Sequence, residues 1–146
     1  MLKGIDPLLG PDLLHILASM GHGDELAIVD ANFPAAAVAR RLVRLDGVNT
    51  PRALEAVLTL LPLDTFVKTP VMVMQVVGNP KQVPPPVRGF QPIVDRAFGR
   101  KLRLAALERF AFYERVRNAF AVVSTGERRF YGNIILIKGV IGPEVP

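Results

Sequence analysis

His22 is the residue in this sequence best suited to moving protons, because imidazole titrates near neutral pH. It stands between Gly21 and Gly23, which carry no side chains and leave the ring uncrowded. Residue type alone also allows a plainer interpretation, in which His22 is an exposed polar residue of a loop. The second histidine, His15, falls on the polar side of a helical pattern, and we predict it to lie at the surface.

Asp30 and the stretch Tyr131, Gly132 and Asn133 could bind the hydroxyl groups of a ligand. Asp30 ends an apolar run, and in α/β folds ligands bind outside the carboxyl ends of strands. The phenol of Tyr131 and the amide of Asn133 can each donate and accept hydrogen bonds. The alternatives are a turn or helix cap at Asp30 and a simple turn around Gly132.

Arg109 opens a segment rich in aromatic and charged residues that runs to Arg115. Neither arginine can be buried without a partner, so one of them could reach a ligand. Glu108 and Glu114 offer ion pairs as the alternative. The aromatic residues at 110, 112 and 113 are more typical of a core than of a stacking platform, although Tyr113 is a further candidate for the pocket.

The composition predicts one globular domain, residues 1–146, because a chain of this length with 50% hydrophobic residues can bury a real core. No apolar run is long enough to span a bilayer, and the first residues lack the pattern of a signal peptide. We therefore expect a cytoplasmic protein with no membrane partner. The absence of cysteine excludes disulfides and thiolate chemistry, and with two histidines we expect no metal site.

The net charge of +5 is concentrated in residues 88–117, which hold eight basic residues and three acidic ones. A basic segment can indicate nucleic-acid binding. This chain has no tryptophan, only two tyrosines and no recognisable nucleic-acid motif. We interpret the segment as a solvated helix face and expect no nucleic-acid partner.

Helical and strand patterns alternate along the chain, which predicts an α/β sandwich with a central, largely parallel sheet flanked by helices. Apolar spacing predicts helices at Asp12–Met20, from a Thr50 cap onward, at Pro92–Arg100 and at Phe110–Asn118. Apolar runs predict strands at Glu25–Asp30, Val71–Val77, Leu102–Leu107, Phe120–Ser124 and Asn133–Lys138. The prolines within residues 79–86 predict an exposed, extended loop.

Several collinear blocks together resemble the ribose pyranase and fucose mutarotase family over residues 1–141. These blocks are Met20–Glu25, Asp30–Ala35, Arg109–Arg115, Thr125–Arg128, Tyr131–Leu136 and Lys138–Val140. Gly23 after the histidine and Arg109 with its Phe-Ala-Phe-Tyr-Glu-Arg continuation favour the fucose branch. Asn32, where that branch often has histidine, and the proline-rich residues 79–92 depart from the family pattern.

The resemblance implies an isomerase that exchanges the anomers of L-fucose, or a related monosaccharide, without cofactor or metal. The general acid/base would be His22. The residues that would bind the sugar are Asp30, Arg109, Tyr131, Gly132 and Asn133. The resemblance also implies a ring-shaped homo-oligomer, a decamer of two stacked pentamers, in which neighbouring subunits share contacts to one sugar. A D-ribose pyranase and a sugar-binding protein without catalytic activity remain as alternatives.

Overall fold

The computed structural model of the protein describes residues 1–143, so the predicted domain extends beyond it at residues 144–146. The elements in this part of the chain are α1 Pro11–Ser19, β1 Glu25–Val29, α2 Ala35–Val38, β2 Leu42–Leu45, α3 Thr50–Leu58, β3 Val71–Met74, α4 Pro85–Phe98, β4 Ala105–Leu107, α5 Arg109–Asn118, β5 Ala121–Thr125 and β6 Ile134–Ile137. None of these helices is long and apolar enough to cross a membrane.

One six-stranded sheet forms the centre of the fold, in the order β2-β5-β1-β6-β3-β4. Strands β2, β5 and β1 are mutually parallel, as are β3 and β4. Strand β6 runs antiparallel to both of its neighbours, β1 and β3. The predicted α/β fold with a largely parallel sheet is confirmed, with a single reversed strand inside it.

Helices cover both faces of the sheet, because successive side chains of each strand point to opposite sides. Leu26 and Ile28 of β1 share a core with α1, α3 and α4, whereas Ala27 and Val29 share a second core with α2 and α5. With both faces covered, a central strand such as β6 is buried at every position. This explains why β1, β3 and β6 are continuous apolar runs rather than alternating ones.

The proline-rich segment differs from its prediction, because α4 begins at Pro85 rather than at Pro92. Pro84 is the N-cap, and Pro85 and Pro86 occupy the first turn, where a backbone N–H has no partner inside the helix. Pro92 lies within the helix on its exposed side and removes a single backbone hydrogen bond. The loop is therefore confined to residues 79–84.

The cap of α3 is Asn49 rather than Thr50, so that prediction is wrong by one residue. The Asn49 side chain accepts a hydrogen bond from the backbone N–H of Arg52 at 3.0 Å. Thr50 is the first helical residue, and its hydroxyl is fully buried. This frees the Thr50 hydroxyl to donate a hydrogen bond elsewhere.

The other predicted elements are confirmed, with ends that differ from the prediction by up to three residues. The strand predicted from Val71 ends at Met74, and the strand predicted from Leu102 begins at Ala105. The four-residue elements α2 and β2 were not predicted, because segments this short show too few periods of a pattern.

Candidate functional site

The sheet brings the predicted ligand-binding residues to one edge. Asp30 directly follows β1, and Asn133 directly precedes β6. Because β6 runs opposite to its neighbours, its beginning meets the carboxyl ends of β1 and β3. A cleft of about 260 Å³ opens at this edge, and its lining includes Asp30, Arg109, Tyr113, Tyr131 and Asn133.

Asp30 and Asn133 form a reciprocal pair at the buried side of this cleft. The backbone N–H of Asp30 donates to Asn133 Oδ1 at 2.8 Å, and Asn133 Nδ2 donates to Asp30 Oδ2 at 3.1 Å. The backbone N–H of Asn32 donates to Asp30 Oδ1 at 3.0 Å. Burial raises the pKa of Asp30 above its ordinary value, and these hydrogen bonds oppose that effect. The carboxyl group is thus held in one orientation at the cleft.

Tyr131 has a left-handed backbone conformation, with φ at 61°, and among residues 1–143 no other non-glycine residue has a positive φ. Such a conformation costs roughly 1–3 kcal/mol and persists only where the surroundings determine it. The backbone N–H of Val77 donates to the Tyr131 hydroxyl at 3.1 Å. This bond ties the loop before β6 to the segment that follows β3.

Gly132 lies beneath the cleft rather than in its lining, and it permits a close approach of two chain segments. A Cβ at this position would lie 2.6 Å from Glu127 Cγ. Glu127 is itself buried, and Arg129 donates two parallel hydrogen bonds to its carboxylate, at 2.9 and 3.0 Å. These bonds hold the pKa of Glu127 below its ordinary value.

Two buried threonine hydroxyls anchor the same loop. Thr50 donates to the backbone carbonyl of Gly132 at 2.7 Å, and Thr125 donates to the carbonyl of Val29 at 2.8 Å. The two hydroxyl oxygens lie 3.2 Å apart. This network explains why Thr50 is not a helix cap: its hydroxyl binds the loop between β5 and β6, and that loop carries Tyr131.

Arg109 is the first residue of α5 and lies at the mouth of the cleft. Its guanidinium lies 5.4 Å from the ring centre of Tyr113, and it forms no ion pair with any residue of the described chain. Glu108 caps α5 through the N–H groups of residues 110 and 111 instead of pairing with Arg109. Arg115 pairs with Glu25. Of the two arginines that the sequence left open, Arg109 is the one at the cleft.

The aromatic residues of α5 divide between core and cleft. Phe112 is fully buried, and its ring makes an edge contact with Phe33. Tyr113 is half-buried, lines the cleft and packs against Phe33 with ring centres 5.1 Å apart. Phe110 is 68% exposed, so the prediction of a core position is wrong for this residue.

His22 lies at the opposite edge of the sheet, away from the cleft. It precedes β1 and Asp30 follows it, and the five residues of β1 span about 16 Å at roughly 3.3 Å per residue. His22 Nε2 lies 3.1 Å from Asp64 Oδ1, and its ring centre lies 5.4 Å from that of Phe66. Within one copy of the chain, the predicted proton-transfer residue and the predicted sugar-binding residues are therefore not brought together. His15 is exposed, as predicted.

Sequence reasoning missed the apolar wall of the cleft and the partner of His22. The wall is formed by Phe33, Met74, Val77 and Phe130. Phe130 is next to the predicted Tyr131, but its side chain is 75% exposed. A phenylalanine in a sequence is normally expected in the core, so nothing in the sequence indicated that it lines the cleft. Asp64 is 42 positions from His22, and nothing in the spacing of the two residues indicates their contact.

A larger cavity, of about 600 Å³, lies between β3 and α4 and contains none of the predicted site residues. Its lining is largely apolar, with three basic side chains and no histidine or carboxylate, so it offers no group that exchanges protons near neutral pH. No group of three or more potential metal ligands occurs within residues 1–143. In the basic segment, Arg96, Arg115 and Arg117 form ion pairs, which fits a solvated helix surface.

Comparison with known proteins agrees with this fold. Residues 3–141 match the RbsD / FucU transport protein family. The chain belongs to this family. The family resemblance of the sequence blocks is therefore confirmed for this RbsD / FucU member.

Relatives of this RbsD / FucU member differ in their sequence identity and structural similarity to it. A fucose mutarotase from Homo sapiens is 50% identical over 150 residues, covering 96% of this chain and 94% of the relative. The crystal structure of the fucose mutarotase from Streptococcus pneumoniae, in complex with L-fucose, aligns with a TM-score of 0.90 and 42% identity, over 97% of this chain and 100% of that one. Bacillus subtilis RbsD complexed with D-ribose aligns with a TM-score of 0.71 and 23% identity, over 97% and 100%. That last likeness shows a shared fold.

Proposed function

We propose that this protein is a cofactor-independent isomerase that interconverts the α and β anomers of L-fucose. The observation that carries the proposal is the cleft at the edge of the sheet, where Asp30, Asn133, Tyr131 and Arg109 converge. A carboxylate, an amide, a phenol and a guanidinium provide the donors and acceptors that sugar hydroxyls need. Relatives similar along nearly the whole chain are fucose mutarotases, and one of them binds L-fucose.

Anomer exchange requires two proton movements on the sugar. The ring oxygen O5 gains a proton and the anomeric hydroxyl loses one, while the C1–O5 bond breaks to give the open-chain aldehyde. After rotation about C1–C2, the O5 hydroxyl attacks the other face of the carbonyl, and the two protons return. A group that is a competent acid and base near neutral pH serves both directions, and we assign this role to His22.

The cleft residues hold the sugar while its ring opens and closes. The buried carboxyl group of Asp30 accepts a hydrogen bond from a sugar hydroxyl, and the amide of Asn133 holds that carboxyl group in place. Arg109 binds ring hydroxyls and stabilises negative charge that develops on oxygen. Tyr131 orients the sugar, and Tyr113 with Phe33 provides an apolar wall for its carbon face.

His22 reaches the sugar from a second copy of the chain. Within one copy, β1 separates it from the cleft, so a complete site needs the His22 edge of one subunit against the cleft edge of its neighbour. Large apolar side chains are exposed at both edges: Phe66 and Val67 near His22, and Val77, Phe110 and Phe130 at the cleft. Two different surfaces that meet head to tail form a ring when the rotation closes. We therefore propose a ring-shaped homo-oligomer, the decamer of two stacked pentamers that the family resemblance implies, working in the cytoplasm.

Saturation-transfer NMR on the anomeric protons tests the reaction directly. Enzyme added to L-fucose should exchange the anomers faster than the spontaneous rate, and His22→Gln should lower the acceleration by about 10²–10⁴-fold. His15→Gln, the same change at the exposed histidine, should leave the rate unchanged. Exchange by His22→Gln at the wild-type rate would show that another group moves the proton. Acceleration in D-ribose but not in L-fucose would make the protein a ribose pyranase, and binding without exchange would make it a sugar-binding protein.

Mixed oligomers test whether two subunits share the site. His22→Gln and Arg109→Ala each damage one half of the site, and at low L-fucose concentration each variant alone should be much less active than wild type. When the two variants are co-expressed in equal amounts and assemble at random, the cleft is intact in about half of the sites, and the neighbouring His22 is intact in about half of those. About a quarter of the wild-type activity should therefore return. A site built within one subunit would show no recovery.

A further inference from the structure

The cavity of about 600 Å³ between β3 and α4 has no part in the proposed function, and two features of the sequence meet there. One is the proline-rich loop, residues 79–84, which departs from the family pattern and forms a wall of the cavity through Pro80 and Pro84. The other is the basic segment, from which Lys101 and Arg103 reach the lining. The cavity is therefore shaped in part by residues that set this chain apart from its family.

The inner lining of the cavity is apolar and recessed. Val73, Val87 and Leu102 line it, and all three side chains are buried. Ala106 of the edge strand β4 is the register partner of Val73, so the two side chains lie on the same face of the sheet. Pockets of about 300–1,000 Å³ with apolar walls are typical of sites that bind small molecules. The size and lining of this cavity thus fit a small ligand with an apolar body.

Three cations surround this apolar surface: Lys81, Lys101 and Arg103. Each of these side chains is exposed, which places the charges at the open side of the cavity. Within residues 1–143, none of the three forms an ion pair, and no carboxylate side chain lines the cavity. The charge of the site is therefore complementary to a ligand with an anionic group at one end.

Hydrogen bonds form the walls of the cavity in advance. Gln91 Nε2 of α4 donates to the carbonyl of Leu102 at 2.7 Å, and the Leu102 N–H donates to Asp95 Oδ1 at 2.9 Å. These bonds hold the chain before β4 against α4. In the proline-rich loop, the Gln82 N–H donates to the carbonyl of Asn79 at 3.1 Å, and Asn79 Nδ2 donates to Gln82 Oε1 at 3.2 Å. A preformed site binds its ligand with little loss of conformational entropy.

We propose that this cavity is a second binding site of the protein, for a free medium-chain carboxylate. The alkyl chain fills the apolar interior, and Arg103 binds the carboxylate with the two lysines beside it, since a guanidinium donates two parallel hydrogen bonds to a carboxylate. A lipid bilayer matches this surface less well, because membrane-binding surfaces bury an exposed apolar face in the lipid and the apolar side chains here are recessed. The site is distinct from the cleft of the proposed function, although Met74 borders both.

Decanoate, added to the intact protein below the concentration at which it forms micelles, tests the site. Isothermal titration calorimetry should show saturable binding of one molecule per subunit. Octanoate should bind about 10-fold more weakly, because each buried CH₂ group contributes about fourfold in affinity. An absence of saturable binding, or equal affinity for the two chain lengths, would overturn the proposal.

Methyl NMR locates the bound chain without any variant. The methyl signals of Val73, Val87 and Leu102 should shift on addition of decanoate. Those of Val116, which is fully buried on the opposite face of the sheet, should not shift. Shifts confined to residues of the cleft would show that decanoate binds at the sugar site, which would also overturn the proposal.

Arg103→Gln removes one charge from the cavity, and the affinity for decanoate should fall by about 10-fold. Arg100→Gln removes an exposed arginine that is near in the chain but outside the cavity lining, and it should bind decanoate normally. Equal losses in the two variants would show general attraction to a basic surface and would refute the assigned site. Both variants should exchange the anomers of L-fucose at the wild-type rate, since neither position lies in the cleft.

Ala106→Trp fills the cavity from β4 and separates the proposed ligand from other occupants. The variant should lose decanoate binding and sediment as the same oligomer as wild type. A smaller oligomer would show that a second copy of the chain occupies the cavity. Binding of wild type to phosphatidylglycerol vesicles, without saturable binding of decanoate, would show that the basic residues meet a membrane. Either of these results would overturn the proposal, and Arg103→Gln, a surface change, keeps it open to refutation if Ala106→Trp does not fold.

Discussion

Asp30 and Asn133 exchange two hydrogen bonds across the sheet edge, although 103 positions separate them in the chain. Each residue both donates a hydrogen bond to the other and accepts one from it. Strand β6 makes this possible, because its reversed direction places Asn133 beside the end of β1. The stability of the protein and the shape of the cleft therefore depend on the same two side chains.

Asn133→Ala should destabilise the protein, because it removes the partner of the buried Asp30 N–H and of Asp30 Oδ2. We expect the free energy of unfolding to fall by about 1–3 kcal/mol. Urea unfolding followed by circular dichroism measures this change. Asn118→Ala, at an exposed position on α5, is the matched control and should change stability by less than about 0.5 kcal/mol. Equal effects of the two variants would contradict the importance of the pair.

Asp30→Asn should change the pH dependence of stability in a defined direction. Burial raises the pKa of Asp30 in the folded protein, so the folded state binds this proton more readily than the unfolded state. The stabilisation from this proton is fully present below the ordinary pKa near 3.8 and is lost as pH rises through the folded value. The asparagine variant lacks this loss, so its stability relative to wild type should increase as pH rises from about 3 towards neutrality.

Urea midpoints of both proteins at a series of pH values test that direction. Asp46→Asn removes an exposed carboxylate and controls for the loss of one negative charge. A stability of Asp30→Asn relative to wild type that stays constant across the series, or that falls as pH rises, would show that burial does not raise the pKa of Asp30.

Arg109→Ala should weaken sugar binding without unfolding the protein, because Arg109 has no ion pair within residues 1–143 to lose. A hydrogen bond from a charged donor contributes about 1.5–3 kcal/mol, so affinity for L-fucose should fall by about 10-fold or more. Isothermal titration calorimetry measures the affinity. Arg117→Ala removes an exposed arginine near the other end of α5 and should bind the sugar normally. Unchanged affinity in Arg109→Ala would place the sugar elsewhere.

Gly132→Ala should destabilise the loop that carries Tyr131, since the new Cβ would lie 2.6 Å from Glu127 Cγ. Relief of this overlap requires Glu127 to shift away from Arg129, and we expect a loss of about 1–3 kcal/mol. Thermal unfolding measures it. Gly47→Ala is the matched control, because no atom lies within 4 Å of its added Cβ and its φ is unexceptional. A similar melting temperature for both variants would mean that the loop adapts freely.

The extent of agreement between sequence and structure differs from one element to another. Helix α1 follows from periodicity, because its apolar residues mark the face that it buries. Strand β1 follows from a continuous apolar run, because it is buried on both faces. The predicted start of α4 is too late, at Pro92 instead of Pro85. Proline is common both in loops and in the first turn of a helix, so the prolines alone do not distinguish the two. Thr50 was misassigned for a related reason, since a threonine before proline fits a cap until its hydroxyl is seen to bond Gly132.

By itself, the sequence determined most of the helices and strands, the covering of the sheet by helices, the family, and the residue types that a sugar and a proton would need. These are properties of local patterns and of blocks that recur in relatives. Only the tertiary structure decided that Asn133 pairs with Asp30, that Asp64 faces His22, and that His22 and the cleft lie at opposite edges. Such relationships depend on the order and direction of strands, and a contact between residues distant in the chain leaves no trace in the spacing of either one.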